Sequence, residues 1–429
     1  MDQQASRRMP VSAQPRTSAP FDAIVVGAGP AGCTIASLLG RRGHSVLLVD
    51  RAPVPRPRLC THALMPSAVP VLAELGVLER VLAAGAQRWW GVRLSMDGVR
   101  IEAGLHRSHA ISASGLSLRR HLLDPILLEA AAASPNVTVR LGWDALAPIV
   151  DDGAVCGVRL RSPDGHDETI DTRLVVAADG RRSRLLAGAG ATRRTLPNRH
   201  IAWIAYIDGI PREERPMLEA YYRGGRSVSL LPSDGGLRIA GVVVPGNGWS
   251  RAEAPAQMLA AMREFPELRT KVANAEVVSR PMAARGLRNS VTLAAMPGIA
   301  AAGDAAIQSD PAFGQGISWA LRGARRLALS ADAALQGTTR GPIRLPSTAS
   351  REPLALPLTL GMSVFSAIAP GSTIERLLVR SAAQAPKTSA LALRVAVGFA
   401  TVRDVHGRGR SVSAFLRDVV APRSAPVRV

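Results

Sequence analysis

Aromatic residues, cysteines and lysines are all scarce in this chain of 429 residues. Phe, Trp and Tyr supply only 3% of the sequence, so Ala, Val and Leu must form most of the core. The three cysteines, Cys33, Cys60 and Cys156, are widely spaced and form no CxxC motif, and the eight histidines follow no HExxH or similar spacing. This usage argues against a disulfide framework and a metal site, and it predicts a cytoplasmic protein.

The charge of the chain is strongly positive and is carried almost wholly by arginine. The formal net charge is +20, and every Lys or Arg position except Lys271 and Lys387 is arginine. So strong a preference, beside abundant alanine, is typical of genome-wide composition bias, so no nucleic-acid partner is predicted. An anionic cofactor, or an acidic carrier protein that delivers a small-molecule substrate, fits the charge equally well. The sequence leaves the oligomeric state open.

Long apolar runs are also missing. The first 20 residues lack the apolar stretch of a secretory signal and predict a disordered tail. The most apolar late stretch, Leu354 to Pro370, is broken by Pro357 and Gly361 and is shorter than the roughly 20 residues that span a bilayer. No transmembrane segment is therefore expected. With 47% hydrophobic residues the chain has ample core for two or three domains.

A β-α-β unit follows the tail. Phe21–Val26 is a short apolar strand, Ala31–Arg42 has the pattern of a helix, and Ser45–Val49 is a second buried strand. Val175–Ala178 and Ile299–Ala302 have the composition of further buried strands. Strands that alternate with helices favour a parallel sheet, so the predicted fold class is α/β.

Glycines at GxGxxG spacing join the first strand to the helix, in the run Gly27, Ala28, Gly29, Pro30, Ala31 and Gly32. Gly27 permits the tight turn, Gly29 lets the backbone approach a pyrophosphate, and Gly32 lets the helix pack on the strand. Asp50, followed by Arg51, ends the second strand and is placed to accept hydrogen bonds from a ribose. Because the motif follows a strand, opens a helix and has an acid at the right distance, it predicts dinucleotide binding.

Two later segments carry further motifs. Leu174–Ser183 reads LVVAADGRRS, and Gly298–Gly316 reads GIAAAGDAAIQSDPAFGQG. Each is a buried strand that ends in an Asp and Gly pair, namely Asp179 with Gly180 and Gly303 with Asp304. Together with the glycine motif, these segments resemble the flavoprotein monooxygenases of the para-hydroxybenzoate hydroxylase type, a superfamily shared with geranylgeranyl reductases and flavin-dependent halogenases. The resemblance implies non-covalent FAD as the cofactor and NADPH or NADH as the reductant.

This resemblance implies roles for individual residues. The glycine motif would hold the FAD pyrophosphate with Asp50 on the adenosine ribose, and Gly303–Asp304 would bind the ribityl side. Asp179–Gly180 would contact both FAD and NADPH, although Leu186 stands where the family usually has arginine. The segment beside the flavin ring would contain Pro311, Phe313, Gly314 and Gly316. No catalytic side chain is assigned, because the flavin carries the chemistry.

Arginines near these motifs are candidates for the FAD phosphates, since a guanidinium can bind a pyrophosphate through two hydrogen bonds. Arg58 lies in the segment RPRLCTHALMP, and Arg120 lies in the helical pattern LRRHLLDPILLEAA; both match arginines of the family. Their neighbours Arg56 and Arg119 are alternatives, and a solvated face is the other interpretation. Cys60 is either a thiol close to the flavin or a small buried hydrophobic residue.

Turn-rich strand patterns at 90–104 and 201–244 predict that an antiparallel sheet is inserted into the first domain. A discontinuous Rossmann-like FAD-binding domain would then comprise residues 21–88, 106–195 and 285–345. The inserted sheet would form a substrate domain at 89–105 and 196–284. The chain would be completed by the tail at 1–20 and by a helical C-terminal region with a basic tail at 346–429.

The inserted sheet is expected to cover an apolar or aromatic ligand. Its alternating Val228 and Leu230, followed by Ile239, Gly241 and Val243, predict one apolar face. Aromatic residues of this region either line a substrate pocket or serve packing alone, and the sequence leaves both open for Trp89, Trp90, Trp203, Tyr206, Tyr221 and Tyr222.

The sequence favours an FAD-dependent monooxygenase over three alternatives. In such an enzyme NAD(P)H reduces FAD, and a flavin C4a-hydroperoxide oxygenates an apolar or aromatic small molecule, for example in secondary metabolism. A geranylgeranyl-reductase-like enzyme that saturates a double bond is the main alternative, because RPRLCTHALMP also resembles a reductase segment, although Thr61 replaces its usual glycine. A halogenase is disfavoured, since the chain has no WxWxIP segment and no lysine before Lys271. A non-enzymatic flavin-binding module is the third alternative.

Overall fold

A computed structural model describes residues 21–53, 60–104, 114–196, 201–223, 226–244, 249–284, 289–309, 314–337 and 341–346. The two predicted tails lie outside these residues, as do Arg56, Arg58, Pro311 and Phe313. Within the described ranges, strands are numbered β1 to β21 and helices α1 to α8 in chain order.

The first sheet has seven strands: β1 (Phe21–Val26), β2 (Val46–Asp50), β8 (Val137–Leu141), β9 (Asp144–Asp151), β10 (Ala154–Arg161), β11 (Asp167–Ala177) and β20 (Ile299–Ala301). Their order is β8-β2-β1-β11-β10-β9, and β20 also pairs with β11. The five strands β8, β2, β1, β11 and β20 are parallel, while β10 and β9 are added antiparallel. The carboxyl ends of β1, β11 and β20 therefore meet at one edge of the sheet.

Three helices pack together beside this sheet: α1 (Pro30–Gly40), α4 (Arg120–Ala132) and α8 (Gly316–Leu335). Every residue of α1 is buried, and Pro30 suits its first turn because a helix leaves that amide position unpaired. Small residues let α1 approach both neighbouring helices closely, which explains how a core with few aromatics is filled. The helix ends at Gly40 rather than Arg42, and Gly43 turns the chain with φ of +92°.

The second sheet has eight strands: β5 (Gly91–Met96), β6 (Val99–Gly104), β13 (Ile201–Asp208), β14 (Leu218–Arg223), β15 (Arg226–Pro232), β16 (Arg238–Val244), β17 (Glu276–Val277) and β18 (Met282–Ala284). Their order is β17-β13-β16-β15-β14-β5-β6, with β18 also on β13. All neighbours are antiparallel except β14 and β5. Parallel strands with helices in one layer and a mostly antiparallel sheet in another confirm the predicted α/β class.

The predicted apolar face of the second sheet was assigned incorrectly. Val228 pairs with Val242 and Leu230 pairs with Ala240, so these four residues share one face. Ile239 lies on the opposite face, together with Gly241 and Val243, because successive residues of a strand alternate between faces. The sheet is therefore apolar on both faces.

The two faces have different neighbours. Val228 and Leu230 pack against helices α6 (Ala254–Arg263) and α7 (Pro266–Arg269). Ile239 and Ile204 pack instead against Ala63, which follows the first β-α-β unit. This second face is the one that looks toward the glycine motif's half of the molecule.

Smaller elements complete the described fold. One three-stranded sheet contains β3 (Ala63–Leu64), β7 (Gly115–Ser117) and β4 (Gln87–Trp89), and another contains β12 (Thr192–Leu196), β19 (Asn289–Ala294) and β21 (Ile307–Gln308). The remaining helices are α2 (Val69–Glu74), α3 (Leu78–Ala83) and α5 (Arg184–Gly188), and single 3-10 turns occur at Pro66–Ala68, Asp234–Gly236 and Gly303–Ala305.

Candidate functional site

A different steric requirement explains the glycine at each of the three positions of the first motif. Gly27 has φ of +109°, and a Cβ there would overlap the carbonyl oxygen of Ala178. A Cβ on Gly32 would overlap the carbonyl oxygen of Gly27, so the first turn of α1 lies directly on the preceding loop. A Cβ on Gly29, in contrast, would meet no described atom within 4 Å. Gly27 and Gly32 shape the turn, and Gly29 borders open space that any side chain would fill.

That open space lies at the N-terminus of α1. Gly29 caps the helix in an extended conformation without a side-chain hydrogen bond, and Pro30 follows as its first residue. The first i to i−4 hydrogen bond runs from the amide of Cys33 to the carbonyl of Gly29, at 2.9 Å. The helix therefore directs its positive end and its first-turn amides toward this space, an arrangement that suits a pyrophosphate.

Asp50 connects the end of β2 to the glycine turn. Its Oδ2 accepts a hydrogen bond from the amide of Ala28 at 2.8 Å, and its Oδ1 accepts one from the amide of Ala52 at 2.7 Å. The carboxylate is half-buried, so it also retains a solvent-facing side. Arg51 beside it is exposed. These two hydrogen bonds fix the position from which Asp50 could accept hydrogen bonds from the hydroxyls of a ribose.

The three predicted motifs meet at the carboxyl ends of β1, β11 and β20. The amide of Ala178 donates to the carbonyl of Val26 at 2.8 Å, and the amide of Ala302 donates to the end of β11 at 2.9 Å. Gly303 has φ of +57°, and a Cβ there would lie 3.1 Å from the Cβ of Ala31. Glycine at this position lets the third motif approach the start of α1 closely. One edge of the sheet thus carries all three motifs.

The second motif contains a buried acceptor. Asp179 accepts a hydrogen bond from the amide of Arg184 at 3.1 Å through Oδ2, while its Oδ1 is buried and has no partner among the described residues. Burial is the main reason that the pKa of Asp179 lies above its usual range. Gly180 has φ of +88° and faces open space. Leu186, the departure from the family's arginine, is buried in the apolar core of this region.

Arg193 was not among the predicted site residues, yet it joins the second and third motifs. Its Nη2 donates to the carbonyl oxygen of Asp304 at 2.9 Å and to Ser290 Oγ at 2.6 Å. The charges of Asp304 and Asp179 both act on it, although burial is the larger effect and lowers the pKa of Arg193. No sequence pattern distinguishes Arg193 from the many other arginines. In the structure it is half-buried in β12, whereas the neighbouring Arg194 is exposed.

Gly314 and Gly316 lie at the start of α8. Gly314 has φ of +62°, and a Cβ there would lie 3.2 Å from the Cβ of Ala63 and 3.3 Å from Thr61 Oγ1. A Cβ on Gly316 would meet no described atom within 4 Å. The start of α8 therefore lies against the segment that faces the second sheet, and its positive end borders open space as α1 does.

The two neighbouring arginines have different partners. Arg120 is only slightly exposed and pairs with Asp124 through Nε and Nη2, the latter at 2.6 Å. Its charge acts on the thiol of Cys33 in α1, so it lies beside the glycine motif's helix. Arg119 instead donates from its amide to Asp234 at 3.1 Å and pairs with the same carboxylate through Nε. Arg120 belongs to the first sheet's side of the site and Arg119 to the second.

A polar pair bridges the two halves of the molecule. His62 Nε2 lies 2.8 Å from the hydroxyl of Tyr206, and the two rings stack with centroids 5.8 Å apart. His62 Nδ1 accepts a hydrogen bond from the amide of Arg120 at 3.2 Å. Burial, followed by the charge of Arg120, lowers the pKa of His62 to about 3. Burial also raises the pKa of Tyr206 to about 12, so both groups are neutral at pH 7.

Cys60 lies next to this pair and is half-buried. Its Sγ accepts a hydrogen bond from the amide of His62 at 3.2 Å. Burial raises the pKa of Cys60, and the nearby Arg120 only partly opposes that effect. A thiol with a raised pKa is protonated and a poor nucleophile, which favours the interpretation of Cys60 as a small hydrophobic residue.

Most aromatic side chains of the second sheet are explained by packing. Trp203 is fully buried and stacks on Trp249, and Tyr221 meets Phe265 edge to face. Trp89 and Tyr222 are buried as well. Trp90 is half-buried beneath the guanidinium groups of Arg88 and Arg215, at 4.3 Å and 5.1 Å from its ring centre. Tyr206 is the half-buried aromatic that faces the predicted flavin side.

The described residues contain no cluster of three His, Cys, Asp or Glu side chains that could hold a metal ion. None of the helices in the described ranges is both long and apolar enough to cross a membrane.

A dinucleotide-binding α/β fold with three converging glycine-containing motifs defines a flavoprotein-like class. A family model described as FAD binding domain matches residues 20–355, which is most of the chain, so the protein belongs to this FAD-binding family. The resemblance drawn from the motifs is therefore confirmed. The family is one of FAD-dependent oxidoreductases that includes monooxygenases, and FAD is its cofactor.

Two curated relatives represent different chemistries. Squalene epoxidase 1 from Arabidopsis thaliana is 32% identical over 161 residues, which are 37% of this chain and 30% of that protein. The matched region is thus less than a third of the epoxidase. Digeranylgeranylglycerophospholipid reductase 2 from Methanopyrus kandleri is 26% identical over 306 residues, which are 70% of this chain and 74% of that protein.

A solved structure shares the fold. The myxobacterial chondrochloren halogenase CndH, a variant of the FAD-dependent halogenases, superposes with a TM-score of 0.66 at 24% sequence identity. The match covers 74% of this chain and 76% of that chain. At this level of identity it establishes the common fold and leaves the reaction open.

Proposed function

We propose that the protein is an FAD-dependent monooxygenase that acts on an apolar or aromatic small molecule. The observation that carries this proposal is the position of Gly314 at the start of α8. It lies against Thr61 and Ala63, and Ala63 in turn packs on the apolar face of the second sheet with Ile204 and Ile239. A flavin ring at Gly314 would therefore face an apolar wall, which suits a hydrophobic substrate and excludes water.

The residues described above fit FAD. Gly29 and the start of α1 would receive the pyrophosphate, Asp50 the ribose, and the buried Oδ1 of Asp179 a hydroxyl donor. Gly303–Asp304, held by Arg193, would contact the ribityl side. We also propose that the first sheet with its helices is the FAD-binding domain and that the second sheet is the substrate domain, with the boundaries given by the sequence.

Bound FAD would supply the redox chemistry, with NADH or NADPH as the electron donor. The overall reaction consumes one O2, one NAD(P)H and one proton, places one oxygen atom in the substrate and releases the other as water. The chain itself binds and orients both molecules and keeps water out. No side-chain nucleophile is needed for these tasks.

A double-bond reductase is the second candidate. It is favoured by the longer alignment with the digeranylgeranylglycerophospholipid reductase, which spans 70% of this chain against 37% for the squalene epoxidase. Thr61, where reductases usually have glycine, contacts the position of Gly314 and argues for the monooxygenase.

A halogenase is disfavoured by the surroundings of the single lysine in the described ranges. Lys271 donates to Glu213 at 2.6 Å and to Glu219 at 2.5 Å, and Glu219 is almost fully buried. This lysine is held in an ion-pair cluster of the second sheet, away from the residues that would hold FAD. It is therefore not placed to carry an oxidised halogen to a substrate.

Oxygen labelling separates these candidates. Purified holoenzyme is supplied with NADH or NADPH, apolar aromatic and prenyl substrates, and oxygen-18 gas, while a parallel reaction runs under argon. A monooxygenase gives a product that contains oxygen-18 in air and no product under argon. A reduced product under argon, with no label in air, would transfer the proposal to the reductase. The flavin-depleted Gly29→Val variant serves as the control for reactions that do not use the site.

A further inference from the structure

Tyr206 stands where the second sheet meets the predicted flavin side. Alternation along β13 places Ile204 and Tyr206 on the face that packs against Ala63 and Met65, while Trp203 faces the helices. Ile204 is buried, whereas Tyr206 is half-buried. The Tyr206 side chain is therefore a polar group of this face that a ligand can reach, and the half-buried Ser227 and Ser229 lie two strands away on the same face.

The direction of its hydrogen bond to His62 follows from the partners of the imidazole. Nδ1 of His62 accepts from the amide of Arg120, so a neutral ring must carry its proton on Nε2. His62 therefore donates to the oxygen of Tyr206 at 2.8 Å. The hydroxyl proton of Tyr206 cannot point back at a donor, so it points away from His62.

The charges around Tyr206 cancel. The guanidinium of Arg119 lies 5.4 Å from the centre of the Tyr206 ring, and Asp234 neutralises it as an ion pair. His62 is neutral, and the side chains next to Tyr206 on this face include the apolar Ile239 and Leu231. Such surroundings favour a neutral hydrogen-bond acceptor over a carboxylate, because no net positive charge would compensate for burial of an anion.

We propose that Tyr206 binds substrate directly, with its hydroxyl donating a hydrogen bond to a neutral oxygen of the substrate such as a ketone or a phenol. His62 is the positioning residue, because its Nε2–H fixes the direction in which the Tyr206 hydroxyl points. The substrate class thus narrows from apolar molecules in general to apolar molecules that carry one neutral acceptor oxygen. This inference rests on the proposed function only in assuming that the substrate lies between the flavin and the second sheet.

Binding of three related probes tests this assignment without any turnover. Acetonaphthone carries a neutral ketone, ethylnaphthalene lacks the oxygen, and naphthoate carries an anion. Their dissociation constants are measured on FAD-loaded protein from changes in the flavin absorbance, for wild type and for Tyr206→Phe. Tyr222→Phe, a substitution elsewhere on the second sheet, is the matched control, and flavin content and Tm are recorded for each variant.

For wild type we expect acetonaphthone to bind more tightly than either other probe. Tyr206→Phe should weaken acetonaphthone by about three- to tenfold, the loss expected for one neutral hydrogen bond, and should leave ethylnaphthalene within about twofold. Tyr222→Phe should leave all three probes within about twofold. If Tyr206→Phe keeps the wild-type flavin content and Tm and weakens only acetonaphthone, the loss of affinity is not caused by a change in the fold.

Three results would overturn the assignment. They are failure of acetonaphthone to bind wild type, equal weakening of acetonaphthone and ethylnaphthalene in Tyr206→Phe, and unchanged acetonaphthone binding in that variant. Failure of the monooxygenase proposal is read separately, from the oxygen-18 label, because the binding assay requires neither O2 nor NAD(P)H. A reductase that still prefers the ketone probe would keep Tyr206 as a substrate-binding residue.

Discussion

The carboxylate of Asp50 accepts a hydrogen bond of 2.8 Å from the amide of Ala28, across 22 residues of chain. Its second oxygen accepts from the amide of Ala52, so the side chain joins the end of β2 to the glycine turn. The acid that we propose for the ribose therefore also holds the backbone on which the pyrophosphate would lie. Under this proposal, recognition of the sugar and the shape of the turn would depend on the same carboxylate.

Replacing Asp50 should consequently affect stability as well as flavin binding. Asp50→Ala leaves the amide of Ala28 without its acceptor and should lower the free energy of unfolding by about 1–3 kcal/mol. Asp50→Asn keeps one acceptor oxygen and should fall between Ala and wild type. Urea unfolding of the flavin-free proteins measures the first effect, and FAD titration measures the second. Asp151→Ala, at an exposed acid, should change neither the free energy of unfolding nor FAD binding. Equal stability of Asp50→Ala and wild type would show that the hydrogen bond from the amide of Ala28 contributes nothing to stability.

Gly29 and Gly32 should behave differently, although they belong to the same motif. A Cβ on Gly29 meets no described atom within 4 Å, and the residue has an extended backbone that valine accepts. Gly29→Val should therefore fold with a normal Tm but lose FAD, because its side chain would occupy the pyrophosphate's space. Gly32→Val should lower the Tm or prevent folding, because its Cβ would overlap the carbonyl of Gly27.

Absorbance of the purified variants at flavin wavelengths and thermal unfolding give both readouts. Gly104→Val, at an exposed strand end of the second sheet where a Cβ would meet no described atom within 4 Å, controls for a generic loss of glycine. Retention of full flavin by Gly29→Val would mean that the pyrophosphate lies elsewhere.

Local motifs could be predicted from sequence, because their geometry is set within a few residues. Gly27, Gly32 and Asp50 lie within one β-α-β unit, whose turn and helix follow from the glycine spacing. The wrong face assigned to Ile239 has a different cause. The loop between β15 and β16 sets which residues pair, and a one-residue difference in register moves every side chain to the other face.

Long-range contacts could not be predicted from the sequence either, because they depend on how strands pair and how the sheets pack. Tyr206 and His62 are separated by 144 residues, and their meeting depends on how the second sheet packs on the first. Arg193 contacts the carbonyl of Asp304 only because β12 and β19 pair in one particular register. No residue-type pattern distinguishes it from the exposed arginine beside it.

His62 should make stability depend on pH in a defined direction. Its pKa falls from an ordinary value of 6.5 to about 3 in the folded protein. Below about pH 6.5 this histidine is protonated in the unfolded chain, whereas in the folded protein it stays neutral down to about pH 3. The free energy of unfolding therefore decreases as the pH falls through this window. The loss from this residue is at most about 1.4 kcal/mol per pH unit.

His62→Asn should remove this contribution while tolerating the φ of +59° at this position. The stability advantage of wild type over His62→Asn should then be larger at pH 7 than at pH 5, as measured by urea unfolding. Other titrating groups cancel in the comparison of the two proteins. An advantage that is independent of pH would mean that His62 is not buried as a neutral group.

Arg193 provides a test of how the third motif is held. Its guanidinium donates to the carbonyl of Asp304 and to Ser290, and so fixes the turn whose carboxylate would contact the ribityl chain. Arg193→Ala should raise the dissociation constant for FAD by about tenfold or more, because a lost hydrogen bond from a charged donor corresponds to about 1.5–3 kcal/mol. Arg194→Ala removes an exposed charge of the same sign one residue away and should leave FAD affinity nearly unchanged. A titration of both variants at two salt concentrations separates a specific contact from general attraction, because only the latter weakens with salt. Equal losses in the two variants would assign Arg193 to the surface field rather than to the flavin site.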